Sequence, residues 1–378
     1  MRPEIFDPIT GPQGGWPEQA ALERAYLTAF AQIGAPALIA NVRTKIYGLR
    51  AGGRIFPLTV NEAEYGDSYV CLPHTAYALY AREELDLVET GIWRPALRLL
   101  TSLAGGLMRA IRINQIVHLN NWMLSTNLHH GWQGEALTAI RQLLVAQFPD
   151  HVIAIRSINR WSDAPLADAL SADGWQFLPS RQIYVTDDLV RDWAPRRDTK
   201  QDLRLLRNTP YQDDNMEQLR AGDAERIAQL YGWLYLDRYS TLNPQFTPAF
   251  IEITHRSGLI RYRGLRDATG QLVVIVGCLL RGDILTTPIV GYDTALPRAQ
   301  GLYRLACVLL TQIAQSYGVR LNSSAGAGEF KRLRGAHGEL EYSAFFTAHL
   351  SAPRRIAIDA MAMALNRLAV PLIRARGL

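Results

Sequence analysis

Cysteine is scarce in this sequence, with three residues in a chain of 378. They stand far apart, and none has a partner at metal-ligand spacing, so the sequence predicts neither a disulfide framework nor a structural zinc site. We therefore expect no bound metal. Two of the three fall in apolar runs, where a free cysteine usually packs as a small core residue. The three are Cys71, Cys278 and Cys307.

Long apolar runs and a leader sequence are also missing. No stretch approaches the eighteen or so uninterrupted apolar residues that a membrane-spanning helix needs. The amino terminus, Met1-Arg-Pro-Glu-Ile-Phe-Asp-Pro8, has no apolar core of the kind found in signal peptides. The sequence therefore predicts a soluble protein of the cytoplasm, long enough for two domains. Its net charge of +5 suits an anionic partner such as nucleic acid, a phosphorylated cofactor or a membrane surface.

Lysine is nearly absent from the forty basic residues, where it occurs only as Lys45, Lys200 and Lys331. Lysine supplies a compact, titratable ammonium, whereas arginine supplies a planar fork. A lysine in an arginine-rich chain is therefore a candidate functional residue, with a solvated helix-end charge as the alternative. Lys331 lies in the most unusual stretch of the chain, Ser323-Ser-Ala-Gly-Ala-Gly-Glu-Phe-Lys-Arg-Leu-Arg-Gly-Ala-His-Gly-Glu-Leu-Glu-Tyr342.

The carboxy-terminal half has a clear pattern of helical and alternating periodicities. It predicts helices at 224–238, 248–256 and 300–317, and strands at 259–266, 271–280, 284–292, 319–322 and 340–348. The amino-terminal half repeats this order less clearly. It predicts strands at 115–124, 152–157 and 177–185, and helices at 134–148 and 164–170.

Two halves with one order of elements indicate a duplicated α/β chain. We predict a first unit at 1–193, a second at 223–350 and a terminal helix at 351–378. The polar, charge-mixed composition of 194–222 predicts a linker between the units.

One connection in the second half has the form of an anion site. A strand ends at Gly291-Tyr-Asp293, a loop follows, and Gly301-Leu-Tyr-Arg304 opens a helix. Unpaired N–H groups at a helix amino terminus can bind a phosphate or a developing oxyanion. The alternative is structural, because the same connection is common in α/β proteins.

Residues 224–348 resemble the GNAT acyltransferase superfamily, in which this strand and helix flank the acyl-donor site. The family's pyrophosphate loop reads Arg or Gln, two residues, Gly, one residue, then Gly or Ala. Arg298-Ala-Gln-Gly301-Leu-Tyr303 matches the first two fixed positions and has tyrosine at the third. Because a diphosphate needs close approach there, the tyrosine favours a donor other than acyl-coenzyme A.

Tandem GNAT-like units with a degenerate loop resemble the Fem-type aminoacyltransferases, whose donor is aminoacyl-tRNA. Those enzymes carry a Phe-Lys signature late in the second unit, and Phe330-Lys331 is similar to it, with Arg334-Gly335 in place of the usual Phe-Gly. The resemblance implies an α/β fold of two tandem GNAT-like units, each a mixed, mostly antiparallel sheet flanked by helices. It also implies tRNA as a partner, and aminoacyl-tRNA as co-substrate without a further cofactor.

The same resemblance gives the residues their expected roles. Lys331 would stabilise the negative charge that forms as an amine attacks the ester, and Arg332 and Arg334 would contact phosphates. Asp293 and Glu341 are the carboxylates placed to orient or deprotonate the amine. A turn or cap for Asp293 and an ion pair with Arg334 for Glu341 are their structural alternatives. The expected donor-binding residues are Arg298, Gln300, Gly301, Tyr303, Arg332 and Arg334.

The aromatic stretch from Tyr231 to Phe246 is placed to cover an acceptor in GNAT-like folds. Most of its rings have helical spacing and are more typical of a core. Tyr239 and Asn243 lie beyond the last periodic position, which favours a loop and a site. The expected acceptor-binding residues are Tyr239, Ser240, Asn243, Ser323 and Ser324.

These features predict an aminoacyltransferase that moves an amino acid from aminoacyl-tRNA to a small amine or hydroxyl acceptor, in natural-product or cell-wall biosynthesis. An N-acyltransferase that uses acyl-coenzyme A is the first alternative. A catalytically silent protein that binds an anionic ligand is the second.

Overall fold

The computed structural model describes residues 2–62, 64–83, 94–371 and 373. They divide into two compact units. Unit 1 contains Met1–Ser180, Ser240–Gln245 and Glu341–Pro371, and unit 2 contains Arg181–Tyr239 and Phe246–Leu340.

The described strands are β1 (Glu4–Phe6), β2 (Lys45–Ala51), β3 (Arg54–Asn61), β4 (Ile116–Leu119), β5 (Val152–Ile158), β6 (Gln176–Thr186), β7 (Gln212–Asp214), β8 (Arg261–Arg266), β9 (Leu272–Arg281), β10 (Ile284–Tyr292), β11 (Arg320–Asn322) and β12 (His337–Phe346). The described α-helices are α1 (Ala21–Ile33), α2 (Ala35–Leu38), α3 (Arg94–Ala110), α4 (Leu137–Gln147), α5 (Arg160–Ala172), α6 (Arg197–Arg207), α7 (Asp223–Tyr231), α8 (Pro248–Arg256), α9 (Leu302–Ser316), α10 (Gly328–Leu333) and α11 (Ala352–Ala364). Shorter helical turns lie at Glu18–Ala20, Thr75–Tyr80, Leu189–Trp193, Gly232–Leu236, Arg298–Gln300 and Leu365–Ala369.

The sheet of unit 1 has the strand order β1-β2-β3-β4-β5-β12. Its neighbours are antiparallel except β4 and β5, which are parallel. Ile140 of α4 and Leu166 of α5 pack with Val117 and Ile155 in one buried core. The apolar positions of these helices recur at helical spacing, which is why they bury one face on the sheet.

The sheet of unit 2 has the order β7-β8-β9-β10-β11-β6. Here too one pair, β10 and β11, is parallel and the others are antiparallel. Leu305 and Leu309 of α9 pack with Val274 and Leu285 in the core of this unit. The predicted fold class is therefore confirmed: two α/β units, each with a mixed, mostly antiparallel sheet flanked by helices.

The two units exchange their last strands. The strand that pairs with β5 in unit 1 is β12, from the end of the chain, and the strand that pairs with β11 in unit 2 is β6. The sequence pattern predicted contiguous units at 1–193 and 223–350. It could not predict the exchange, because periodicity along a chain carries no information about which strands pair.

The predicted linker, 194–222, instead contains α6 and β7 within unit 2. The basic residues of α6 lie on the exposed face of an amphipathic helix, so the average composition of the segment resembles that of a linker. The predicted terminal helix corresponds to α11 and the turn Leu365–Ala369, while 372 and 374–378 lie outside the described residues. Within the described ranges, no helix is both long and apolar enough to cross a bilayer.

Candidate active site

The parallel strands of unit 2 separate at their carboxyl ends. The pairing of β10 with β11 covers only Ile284–Thr286 against Arg320–Asn322, where β11 ends, while β10 continues to Tyr292. A bulge between Thr286 and Ile289 bends β10 at this point. Ligands of α/β sheets bind beyond the carboxyl ends of parallel strands, so this opening is the candidate active site.

Lys331 is fixed at the opening by the loop that follows β11. Ser324 and Ala327 adopt positive φ angles of 59° and 50°, which turns the loop back toward α10. The Lys331 ammonium donates to three backbone carbonyl oxygens, those of Ser323 at 2.7 Å, Ser324 at 3.1 Å and Ala325 at 2.9 Å. These contacts use all three of its N–H donors.

The charge state of Lys331 reflects two opposed effects. Burial lowers the pKa of its ammonium from 10.5 to about 7, and the guanidinium of Arg181 acts in the same direction. The three carbonyl acceptors favour the protonated form, because only an N–H can donate to them. The site therefore holds a lysine that can change charge near neutral pH.

Tyr184 of β6 forms the floor beneath this cation. Its ring centroid is 5.6 Å from the Lys331 ammonium and 5.7 Å from the Arg332 guanidinium, and its hydroxyl accepts from Arg332 at 3.2 Å. A side chain at Gly328 would collide with the Tyr184 ring, so only glycine lets α10 approach so closely. Arg332 itself is exposed, and its contact with Tyr184 leaves it at the rim of the site.

Aromatic rings line the opening. Tyr303 lies 5.0 Å from Phe330 and 6.4 Å from Tyr292, centroid to centroid. Tyr235 lies 6.1 Å from Tyr239, which is 49% exposed. Burial raises the pKa of Tyr303 above its usual range, so its hydroxyl stays neutral and can donate a hydrogen bond.

The predicted donor loop is largely engaged by its own unit. Gly301 has a φ of 67° and begins α9, and a Cβ there would lie 2.7 Å from Leu205 of α6. Gln300 accepts from the Tyr211 hydroxyl at 2.6 Å, whereas Arg298 is exposed. Leu205 and Tyr211 thus contact the loop that the GNAT resemblance assigns to a diphosphate.

A buried carboxylate connects α6 to both sides of the opening. Asp202 accepts from Arg304 of α9 and from Arg334, each at 2.6 Å, and its side chain is 1% exposed. Arg334 also lies over the Phe330 ring at 3.4 Å. Arg334, expected to meet phosphates, therefore contributes to the internal framework of the site.

The two expected carboxylates lie in different surroundings. Asp293 accepts from Arg226 at 2.7 Å and from the Ala295 N–H at 3.0 Å, which matches its structural alternative as a turn residue. Glu341 belongs to unit 1, where it is 3% exposed and its carbonyl accepts from Ser180. Their catalytic roles stay predictions.

The expected acceptor residues are divided between the units. Tyr239, Ser323 and Ser324 lie in unit 2, and both serines contribute their carbonyls to Lys331. Ser240 and Asn243 lie in unit 1, where the Asn243 amide donates to the Ser240 carbonyl at 3.0 Å within a buried turn.

Sequence reasoning missed Tyr184 and Asp202. Neither has a local motif, since each acts on residues more than a hundred positions away. Cys307 of α9 lies near Lys331, and burial raises the pKa of its thiol to about 11, which keeps it neutral. No group of three or more potential metal ligands occurs among the described residues.

Comparison with known proteins gives likenesses of fold only. No family model and no curated protein matches this chain. It is similar to the solved structure of L-PGS from Bacillus licheniformis at 14% identity, over 60% of this chain and 78% of that one, with a TM-score of 0.44. It is similar to FemX at 10% identity, over 55% and 75%, with a TM-score of 0.41.

A third similar structure is a tandem GNAT protein from the clavulanic acid biosynthesis pathway. The identity is 11%, over 91% of this chain and 98% of that one, with a TM-score of 0.40. At this identity the likenesses carry no substrate or donor with them.

Proposed function

We propose that the opening of unit 2 is the active site of an acyltransferase that moves an aminoacyl group from aminoacyl-tRNA to a small amine or hydroxyl acceptor. The observation that carries the proposal is the Lys331 ammonium, held on three carbonyls at the carboxyl ends of the parallel strands. A fixed cation in a partly buried site is suited to a reaction that develops negative charge.

The reaction needs few groups. The acceptor nitrogen or oxygen attacks the ester carbonyl carbon, and the carbonyl oxygen becomes an oxyanion that the Lys331 charge stabilises. The carbon–oxygen ester bond then breaks, and the ribose hydroxyl leaves with the proton that the acceptor gives up. Positioning of the two reactants contributes up to about 7–11 kcal/mol in such reactions, so a separate protein nucleophile is not required.

The donor loop supports an RNA ester over coenzyme A. Leu205 packs on Gly301, Tyr211 binds Gln300, and the bulky Tyr303 stands where the GNAT loop has a small residue. Together they obstruct close approach of a diphosphate to the start of α9. An acyl-coenzyme A donor remains the second candidate, since the loop after β10 leads into the turn Arg298–Gln300 and the start of α9.

The test offers both donors to the same protein. Purified protein is incubated with bulk tRNA charged with labelled amino acids, or with labelled acetyl-coenzyme A, and acceptor-dependent loss of label is followed in a small-molecule extract. We expect loss from charged tRNA. Loss from the thioester alone would favour the second candidate, and loss from neither would leave the anionic-ligand binding protein.

A further inference from the structure

Helix α6 carries a row of four cations on its exposed face. Arg197, Lys200, Arg204 and Arg207 are separated by three, four and three residues, which places them within an arc of roughly 80° at 3.6 residues per turn. All four are exposed. None forms an ion pair or a side-chain hydrogen bond within the described parts of the chain. We call these four residues the α6 row.

The opposite face of α6 is fixed to unit 2. Leu203, Leu205 and Leu206 pack against the core of the unit, and Asp202 binds Arg304 and Arg334. The helix therefore presents its cations from a rigid support, and its apolar side chains are unavailable for insertion into a lipid layer.

The α6 row lies on the same framework as the candidate active site. Leu205 contacts Gly301 at the start of α9, and Asp202 connects α6 to Arg334, two residues beyond Arg332 at the rim of the opening. A polyanion bound along α6 would therefore be held by a helix that is anchored directly to the opening.

The geometry of the α6 row suits a strand of phosphates. Ten residues of α-helix span about 15 Å at 1.5 Å per residue. One strand of a nucleic acid duplex places a phosphate about every 3.4 Å along its axis, so about four phosphates match four cations. The row is convex and extended, whereas a compact anion needs a concave pocket with converging donors.

We propose that the α6 row binds the phosphate backbone of an RNA duplex and so holds the nucleic-acid part of the donor while its ester reaches the opening. This inference rests on the proposed function and adds the surface that recognises the RNA. The contacts are to phosphates, so they give affinity and register without reading sequence.

The test compares two double charge reversals. Lys200→Glu/Arg204→Glu removes the centre of the α6 row, and Arg24→Glu/Arg256→Glu makes the same change in net charge at two exposed arginines elsewhere. Binding of labelled, uncharged bulk tRNA is measured over a series of KCl concentrations. We expect the α6 variant to bind at least about tenfold more weakly and to reduce the slope of log affinity against log salt by about two. The control should match the wild type in both.

Transfer assays separate binding from chemistry. For charged tRNA, the α6 variant should raise KM and keep kcat. For an aminoacyl ester of a dinucleotide, which lacks the duplex phosphates, variant and wild type should be equal. The exchange variant Lys200→Arg/Arg204→Lys changes the same two side chains but keeps both positive charges. It should bind tRNA as tightly as the wild type.

Three outcomes would overturn the inference. If the wild type transfers from charged tRNA and the α6 variant equals the control, the RNA binds elsewhere and the proposed function stands. If the wild type neither binds nor consumes charged tRNA, the proposed function fails with it. If the α6 variant loses binding to phosphatidylglycerol vesicles but not to tRNA, the row is a lipid surface.

Discussion

Each unit has one parallel strand pair, and the openings beyond the two pairs are built in opposite ways. In unit 1 the chain beyond β4 fills its opening with buried polar side chains. Asn121 donates to Thr59 and to the Val70 carbonyl, each at 3.0 Å, and accepts from Arg156 at 3.2 Å. His129 uses both ring nitrogens, toward Asn120 and toward the Arg156 carbonyl, each at 3.0 Å.

The opening of unit 2 keeps the Lys331 ammonium against three backbone carbonyls and over the buried Tyr184 ring. Arg156 in unit 1 is bound by Asn121 and by the carbonyls of Val70 and Leu124 at less than a tenth exposure. Similar strand arrangements thus hold an arginine within a buried polar network in unit 1 and a lysine on loop carbonyls in unit 2.

Exchanging the cation of each opening tests the difference between them most directly. Lys331→Arg keeps a positive charge and hydrogen-bond donors, but a planar fork cannot take the place of an ammonium among three converging carbonyls. We expect transfer to fall by about 10²–10³-fold with tRNA affinity unchanged. Steady-state transfer and tRNA binding measure the two effects.

The matched control is Arg156→Lys, the reverse exchange in unit 1. It should leave kcat per folded molecule unchanged, because the opening of unit 1 is closed by its own side chains. Unchanged transfer by Lys331→Arg would remove Lys331 from the mechanism and reduce its role to holding the loop after β11.

The buried polar network of unit 1 contributes to stability. Asn121→Leu in unit 1 removes the hydrogen bonds that Asn121 makes to the Thr59 hydroxyl, the Val70 carbonyl and Arg156, of which Arg156 and the Val70 carbonyl keep other partners. We expect the free energy of unfolding to drop by about 2–3 kcal/mol, with transfer per folded molecule preserved. Denaturant titration followed by circular dichroism measures the change.

Asn215→Leu is the control for that variant, because Asn215 is exposed. It should change stability by about 0.5 kcal/mol or less. If Asn121→Leu abolished transfer while the protein stayed folded, the opening of unit 1 would have a functional role, and the contrast between the units would fail.

The sequence predicted the part of this arrangement that is local. Helical and alternating periodicity identified the duplicated α/β units, and the scarcity of lysine singled out Lys331. It could not predict the exchange of β6 and β12, because pairing partners distant in sequence leave no periodic signal. Tyr184 and Asp202 were missed for the same reason, since their importance comes from residues that only the fold brings near.

The α6 row is different, because its signal is in the sequence. Arg197, Lys200, Arg204 and Arg207 repeat at helical spacing, and Leu203 and Leu206 occupy the other face. The mixed charges of 194–222 are typical of a linker, and composition alone therefore predicted one. The periodicity of the same residues predicts an amphipathic helix with one basic face.

Lys331 also differs from the arginine of unit 1 in that it can lose its proton near neutral pH. The pKa of Lys331 is about 7 in the folded protein and 10.5 without burial, so between these values the unfolded chain binds a proton that the folded protein does not. Stability therefore rises with pH across that interval, and the full cost of the buried charge is present below about pH 7. Relative to Lys331→Met, which has no titrating group, the wild type should gain free energy of unfolding from pH 7 to pH 10.

Lys45→Met is the control, because Lys45 is 65% exposed. Its stability shows the pH dependence that any lysine substitution would produce. A cationic role for Lys331 also requires wild-type transfer to decline above about pH 7 by comparison with Lys331→Arg, whose guanidinium stays charged. A stability difference between wild type and Lys331→Met that is flat with pH would mean that the three carbonyls hold the lysine protonated throughout. Lys331 would then keep its charge over this range, and wild-type transfer would show no decline with pH relative to Lys331→Arg.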